Sequence, residues 1–232
     1  LIFPTLTEKR LHVMKALANF CATKPELAAK ALDLGPKQVD LLMINAELMK
    51  ASCAPAIQIY TGVLYDHLGY SASNAKARAR ADSSILIASA LFGFVTPTNP
   101  IPAYRLSGSS VIASIGSLTA YWKSDLLSAL GQYKSELILD MRSGSYEKLA
   151  PAKELGQTVV SVKVLTHVNG VLKPVTHFNK ATKGDLVRAA CNSSLKSPTN
   201  VEQVANYFTK LGFQAELDVN APGVPTLQIV TK

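Results

Sequence analysis

Asn169-Gly170, set between two runs of strand-forming residues, constrains this chain more than any other feature. A two-residue type I′ turn needs positive φ at both central positions, which Asn and Gly adopt at low cost. The dipeptide therefore fixes a β-hairpin and its register. The spacing predicts one strand over 159–166, a turn at 167–170 and a second strand over 171–178. The hairpin runs into Thr176-His177-Phe178-Asn179-Lys180-Ala181-Thr182-Lys183-Gly184-Asp185-Leu186-Val187-Arg188. Leu186, Val187, Ala189 and Ala190 suit a short helix, and Thr182 with Asp185 resembles a capping box with Asp in place of Glu. The reading is strand, loop, helix N-terminus, with Lys180 and Lys183 on the loop and Arg188 on the helix. Free backbone N–H groups and the helix dipole favour an anion at such a place. A solvated basic loop explains the same residues without a ligand.

Composition sets wider bounds. The 232 residues are 48% hydrophobic and 17% charged, which fits a globular chain and excludes disorder. Lys+Arg number 24 against Asp+Glu 16, a net charge of +8 that favours anionic partners such as nucleic acid or phosphorylated ligands. Cys21, Cys53 and Cys191 are sparse and odd in number, so no disulfide framework is expected, and a reducing cytoplasm fits. No pair has zinc spacing, and His12, His67, His167 and His177 are scattered, so no metal site and no cofactor are expected. The apolar run 85–95 falls short of the roughly 18 residues of a membrane span. No basic-then-apolar signal pattern opens the chain.

Periodicity predicts helices over 7–23, from Pro25 to about Leu32, from Pro36 to Met49, 73–80, 118–130 and 200–211. Strands are expected over 136–140, 213–218 and 226–230, and the run 57–65 reads as a strand passing into a turn at Gly62, with another apolar element beyond. The run 84–94 fits a buried strand or a buried helix end, and the proline-rich 96–102 reads as loop. Helices before strands, with a late hairpin, indicate a single mixed α/β or α+β domain with a helical part over about 1–50 and no long linker.

Several side chains are candidates for a site. Arg105 follows Pro97, Pro100 and Pro102, so a rigid loop would hold its planar fork for phosphate or carboxylate; an ion pair with Asp140 or another carboxylate is the alternative. Asp140 and Arg142 lie at a strand end, where functional groups gather in α/β folds, though a mutual salt bridge explains them too. Trp122 reads as core before it reads as a base-stacking platform, and so do Tyr60, Tyr65 and Tyr104. The turn Lys30-Ala31-Leu32-Asp33-Leu34-Gly35-Pro36-Lys37-Gln38 can be read as a helix-hairpin-helix that aims amides at a phosphate, or as an ordinary helix-helix turn. Leu91-Phe92-Gly93-Phe94 is a second such candidate. No Gly-x-Ser-x-Gly elbow, Walker loop or dinucleotide fingerprint supports an enzyme, and Ser143-Gly144-Ser145 lacks a local base. His177 beside Lys180 could serve phosphoryl or acyl chemistry, or be structural.

Four runs recur as an ordered set: Tyr60-Thr61-Gly62-Val63-Leu64-Tyr65; Ser89-Ala90-Leu91-Phe92-Gly93 with Pro100-Ile101-Pro102-Ala103-Tyr104-Arg105-Leu106; Leu139-Asp140-Met141-Arg142-Ser143-Gly144-Ser145-Tyr146; and His177-Phe178-Asn179-Lys180-Ala181-Thr182-Lys183-Gly184. In this order and spacing, with Trp122 between the second and third, the chain resembles the peroxide stress protein YaaA family from about Phe3 to the C-terminus. Family members usually begin with a strand and a Ser/Pro/Lys-containing loop that nothing here matches, so the sheet is expected to lack a strand. The resemblance implies protection during peroxide stress, limitation of iron-driven damage, and DNA binding through a helix-hairpin-helix in a positively charged cleft. The expected cleft holds Arg105, Lys180, Lys183 and Arg188, with Arg142 at its edge and Lys37 as a further phosphate contact. A pocket of Tyr60, Tyr104, Asp140, His177 and Asn179 is possible beside it. Two other readings stay open: an enzyme or binding protein for a small phosphorylated or nucleotide ligand, and an iron-handling or protein-partner role.

Overall fold

The Asn169-Gly170 turn forms as its chemistry requires, with φ of 52° at Asn169 and 77° at Gly170 in the computed structural model. The flanking strands, Val159–Val168 and Val171–Pro174, pair antiparallel with Val168 opposite Val171 and Leu165 opposite Pro174. The first strand runs two residues beyond the expected end at Thr166. The second is strand to Pro174, and the Val175 N–H still donates to the Val164 carbonyl at 2.9 Å; of the residues expected to continue it to Phe178, Thr176 and His177 lie outside the described residues. The structure describes residues 1–232 except Gln157, Thr176, His177 and Lys232.

The fold is mixed α/β, and the chain forms two compact units. The first comprises 1–59, 85–132 and 142–151, and the second 60–84, 133–141 and 152–232. The second unit carries the main sheet. Val159–Val168 is its central strand, parallel to Ile138–Asp140 along one edge and to Thr226–Thr231 along the other. Gln214–Asp218 closes the far side antiparallel to Thr226–Thr231. One face of the sheet is covered by helices Asn179–Asn192 and Glu202–Lys210, whose Leu186, Val204 and Phe208 pack on Val160, Val162, Leu227 and Ile229.

Helix Asn179–Asn192 is pinned at three points. Arg80, on helix Ala75–Ser84, donates to the carbonyls of Ala190 (3.1 Å), Cys191 (3.2 Å) and Ser193, which satisfies the helix C-terminus and complements its dipole. At mid-helix, Gly184 lies against helix Val63–Leu68, where a Cβ would sit 2.4 Å from the Leu64 carbonyl oxygen and 2.7 Å from His67 Cβ. Near its start, Lys183 Nζ donates to the Met141 carbonyl at 3.2 Å.

In the first unit, long helix Thr7–Thr23 and helix Leu118–Gly131 flank a small buried hairpin, Ile87–Ser89 with Gly93–Val95. Arg10, 4% exposed, spends its guanidinium on the carbonyls of Ile2, Phe3, Phe92 and Phe94. Burial lowers its pKa to about 10. Trp122 is fully buried and donates Nε1–H to the Ala90 carbonyl at 2.8 Å, so it is core.

Three local expectations are corrected. Leu91-Phe92-Gly93-Phe94 is the turn and second strand of that buried hairpin, with Gly93 at φ 74°, and is no helix-hairpin-helix. The strand expected from Ile57 is helix Ala56–Ile59; the expected turn at Gly62 forms, with φ 110°, and the element beyond it is helix Val63–Leu68. Pro100–Pro102, expected as loop, pairs with Cys53–Pro55 as an isolated two-stranded ladder, where missing N–H groups are tolerated. Cys21, Cys53 and Cys191 are free thiols, and burial pushes those of Cys21 and Cys191 up.

Gly184→Ala should lower stability by about 1–3 kcal/mol, because the Leu64 backbone and the His67 stem must give way together. Urea unfolding checks this; an unchanged midpoint would contradict the helix contact.

Candidate functional site

Helix Asn179–Asn192 begins four residues earlier than a cap at Thr182 would place it, with Phe178 at the N-cap position. Thr182 is therefore inside the helix, its hydroxyl donating back to the Phe178 carbonyl at 3.1 Å, and Thr182 with Asp185 forms no capping box. Lys180 and Lys183 are helical, not on a loop. The two lysines diverge: Lys180 is exposed in the first turn, whereas Lys183 is only 6% exposed and faces the sheet. No acidic residue occupies the first turn, and no described side chain caps it. The leading amides and the positive end of the dipole thus stand beside an exposed ammonium, an arrangement that favours an anion.

Lys183 is held beside Asp140, the last residue of strand Ile138–Asp140, itself 7% exposed. Burial pushes the lysine ammonium below its usual range, and the Asp140 carboxylate opposes the shift. One turn earlier on the helix, the Asn179 side-chain oxygen is enclosed without a partner among the described residues. Arg188 is exposed and donates to Asp185 at 2.8 Å, while Asp185 also meets His67 Nδ1 at 3.2 Å. Tyr60 and Tyr65 stack with centroids 5.8 Å apart and are half-buried. His177 lies outside the described residues.

Arg105, Arg142, Tyr104 and Lys37 belong to the first unit. Arg105 is fixed through its own backbone. Asn45, with 0% exposure, donates to the Arg105 carbonyl and accepts from its N–H, both at 2.8 Å. Arg105 Nε is enclosed and without a partner among the described residues. The guanidinium acts on the Tyr146 phenol, whose pKa burial raises and Arg105 lowers. Arg142 donates to the carbonyls of Tyr146 (3.3 Å) and Ala150 (2.8 Å) and lies over the Phe94 ring, so it braces the segment that carries Tyr146. Tyr104 bonds the Ser89 hydroxyl at 2.8 Å and meets the Phe92 ring edge-on. Lys37 is exposed in the short 3-10 turn Pro36–Gln38. The Gly35 amide there is taken by Gln38 Oε1 at 3.2 Å, and the amides of Asp33 and Leu34 by Lys30 and Ala29 carbonyls. A phosphate at this turn would thus meet the Lys37 side chain more readily than a row of free amides.

Asn45 and Tyr146 were missed as sequence candidates. Asn45 did leave a signal, a polar residue among the apolar positions Leu42, Met43 and Ala46. Tyr146 left none beyond its place in the third run.

The model of the peroxide stress protein YaaA family matches residues 3–217. A UPF0246 protein of Streptomyces coelicolor is 35% identical over 96% of this chain and 85% of its own length. A UPF0246 protein of Corynebacterium glutamicum is 34% identical, covering 99% of this chain and 90% of its own. An uncharacterized protein of Campylobacter jejuni is 33% identical over 90% of the chain and 82% of its own. The chain belongs to the peroxide stress protein YaaA family.

The buried lysine carries a pH signature. Its folded pKa lies below the free value of 10.5. Between the two, the unfolded chain holds a proton that the folded chain has released, so stability rises as pH climbs through that window. Lys183→Met lacks this proton and should show a flatter dependence of Tm on pH between neutrality and about 10.5. Parallel curves for the two proteins would contradict the buried ammonium.

Proposed function

Because the chain is a member of the peroxide stress protein YaaA family, we propose that it protects DNA in the cytoplasm during peroxide stress by binding it through phosphate contacts. Limiting iron-driven damage is part of this reading through the family alone, with no residue group assigned to it. The observation that carries DNA binding is the acid-free first turn of helix Asn179–Asn192, capped by no side chain among the described residues, with Lys180 exposed on it. A net charge of +8 adds a long-range attraction for a polyanion. Arg188 is a further surface cation of the same helix, moderated by Asp185. Lys37 is a second, separate phosphate contact at the helix-helix turn of the first unit. Lys183 supports the site by holding the helix on the strand end and makes no phosphate contact itself. Phosphate contacts carry no base information, so binding is weakly sequence-specific and falls steeply with salt.

A small phosphorylated ligand is the second reading, favoured by one observation: the Nε donor of Arg105 is enclosed without a described partner while the residue's backbone is clamped by Asn45. A fixed guanidinium with unused donor capacity suits a phosphate or carboxylate.

Affinity for unrelated duplexes at several salt concentrations tests the first reading. Lys180→Ala should weaken all duplexes alike, roughly tenfold near 0.1 M salt, and flatten the salt slope by about one. Unchanged affinity would remove the helix from the site. Absence of DNA binding at low salt, with nucleoside phosphates bound in an Arg105-dependent way, would give the second reading priority.

A further inference from the structure

The hairpin that opens the basic segment continues past the sheet. Strand Thr226–Thr231 accompanies Val159–Val168 only as far as Thr166, opposite Thr231. Beyond that point His167 and Val168 pair only with Leu172 and Val171, and the outer edge of Val171–Pro174 has no strand neighbour among the described residues. Residues 167–174 are all exposed, Val171 at 59%, Val168 at 39% and Leu172 at 37%. The hairpin is thus a free two-stranded arm with solvent on both faces. Alternation puts Val168, Val171 and Lys173 on one face and His167 and Leu172 on the other.

Charge identifies what the arm meets. No Asp or Glu occurs anywhere between Glu154 and Asp185, while Lys163, Lys173, Lys180 and Lys183 all do. Lys163 and Lys173 are exposed at the base of the arm. An acid-free ribbon repels a second copy of itself edge to edge and attracts a polyanion. A two-stranded ribbon also matches the major groove of B-DNA in width, and apolar tips there can rest on thymine methyl groups.

We propose that the 167–174 arm is a β-ribbon that enters the major groove of duplex DNA, with Val168 and Val171 against base edges and with Lys173 and, on the sheet at the arm's base, Lys163 on the flanking phosphates. The inference rests on the DNA-binding reading above and adds a second contact outside the helix N-terminus. The arm gives that reading a preference for duplex over single strands, since only a duplex has the groove.

The test compares parent, Lys180→Ala, Lys163→Gln/Lys173→Gln and Val168→Ser/Val171→Ser proteins on one duplex and its single strands. All substituted arm positions are exposed, and thermal unfolding checks that each variant folds as the parent does. The arm lysine pair should lose about two from the salt slope of duplex binding. The valine pair should keep the slope and lower duplex affinity at least threefold, leaving single-strand affinity unchanged. Arm variants that bind like the parent, while Lys180→Ala is impaired, overturn the arm and leave the helix reading intact. A parent that binds no duplex at low salt overturns both. Arm variants that change only the mass of the protein in solution also overturn it, and would make the arm a contact between copies.

Discussion

The structure of the second unit depends on how a lysine-bearing helix can be laid against a sheet. Gly184 lets helix Asn179–Asn192 touch the backbone of helix Val63–Leu68, and any larger residue would push the two apart. That close approach sends Lys183 into the interface, where an ammonium would be costly without partners. The Met141 carbonyl and the Asp140 carboxylate supply them. With one face of the helix committed in this way and its C-terminus held by Arg80, Lys180 in the first turn is left to solvent. The exposed cation and the buried one are thus two consequences of a single packing choice.

The first unit solves a related problem with backbone hydrogen bonds. Arg10 gathers four carbonyls from the N-terminal segment and the buried hairpin, and Asn45 clamps both backbone groups of Arg105. Buried polar groups satisfied by main chain fix loop geometry more firmly than apolar packing, because misplacing the loop would strand a donor or acceptor. Arg105 therefore sits on a loop whose position is set from behind, while its Nε has no partner among the described residues.

Much of this was legible from residues alone. Asn169-Gly170 announced its hairpin because the turn needs positive φ at both positions, and no distant contact had to be known. The helices over 7–23 and 118–131 showed in their apolar spacing. Features set by distant partners did not show. Pro100–Pro102 became a strand only through Cys53–Pro55. The start of helix Asn179–Asn192 was missed because Thr182 and Asp185 imitate a cap. The burial of Lys183 was invisible because its partners come from a strand some forty residues earlier, brought alongside by sheet pairing. The cations could be picked out as a set, but their division into exposed, ion-paired and buried members belongs to the fold.

In the proposed reading, the acid-free segment, arm and first helical turn together, is the surface that meets DNA. Backbone amide shifts of the isotope-labelled protein, followed by NMR as a short duplex is added at low salt, test it most directly. The account predicts the largest shifts at Val168–Lys173 and Asn179–Thr182, with Gly184–Cys191 nearly still. Shifts concentrated on Pro25–Ala46, with the arm and first turn unmoved, would contradict it.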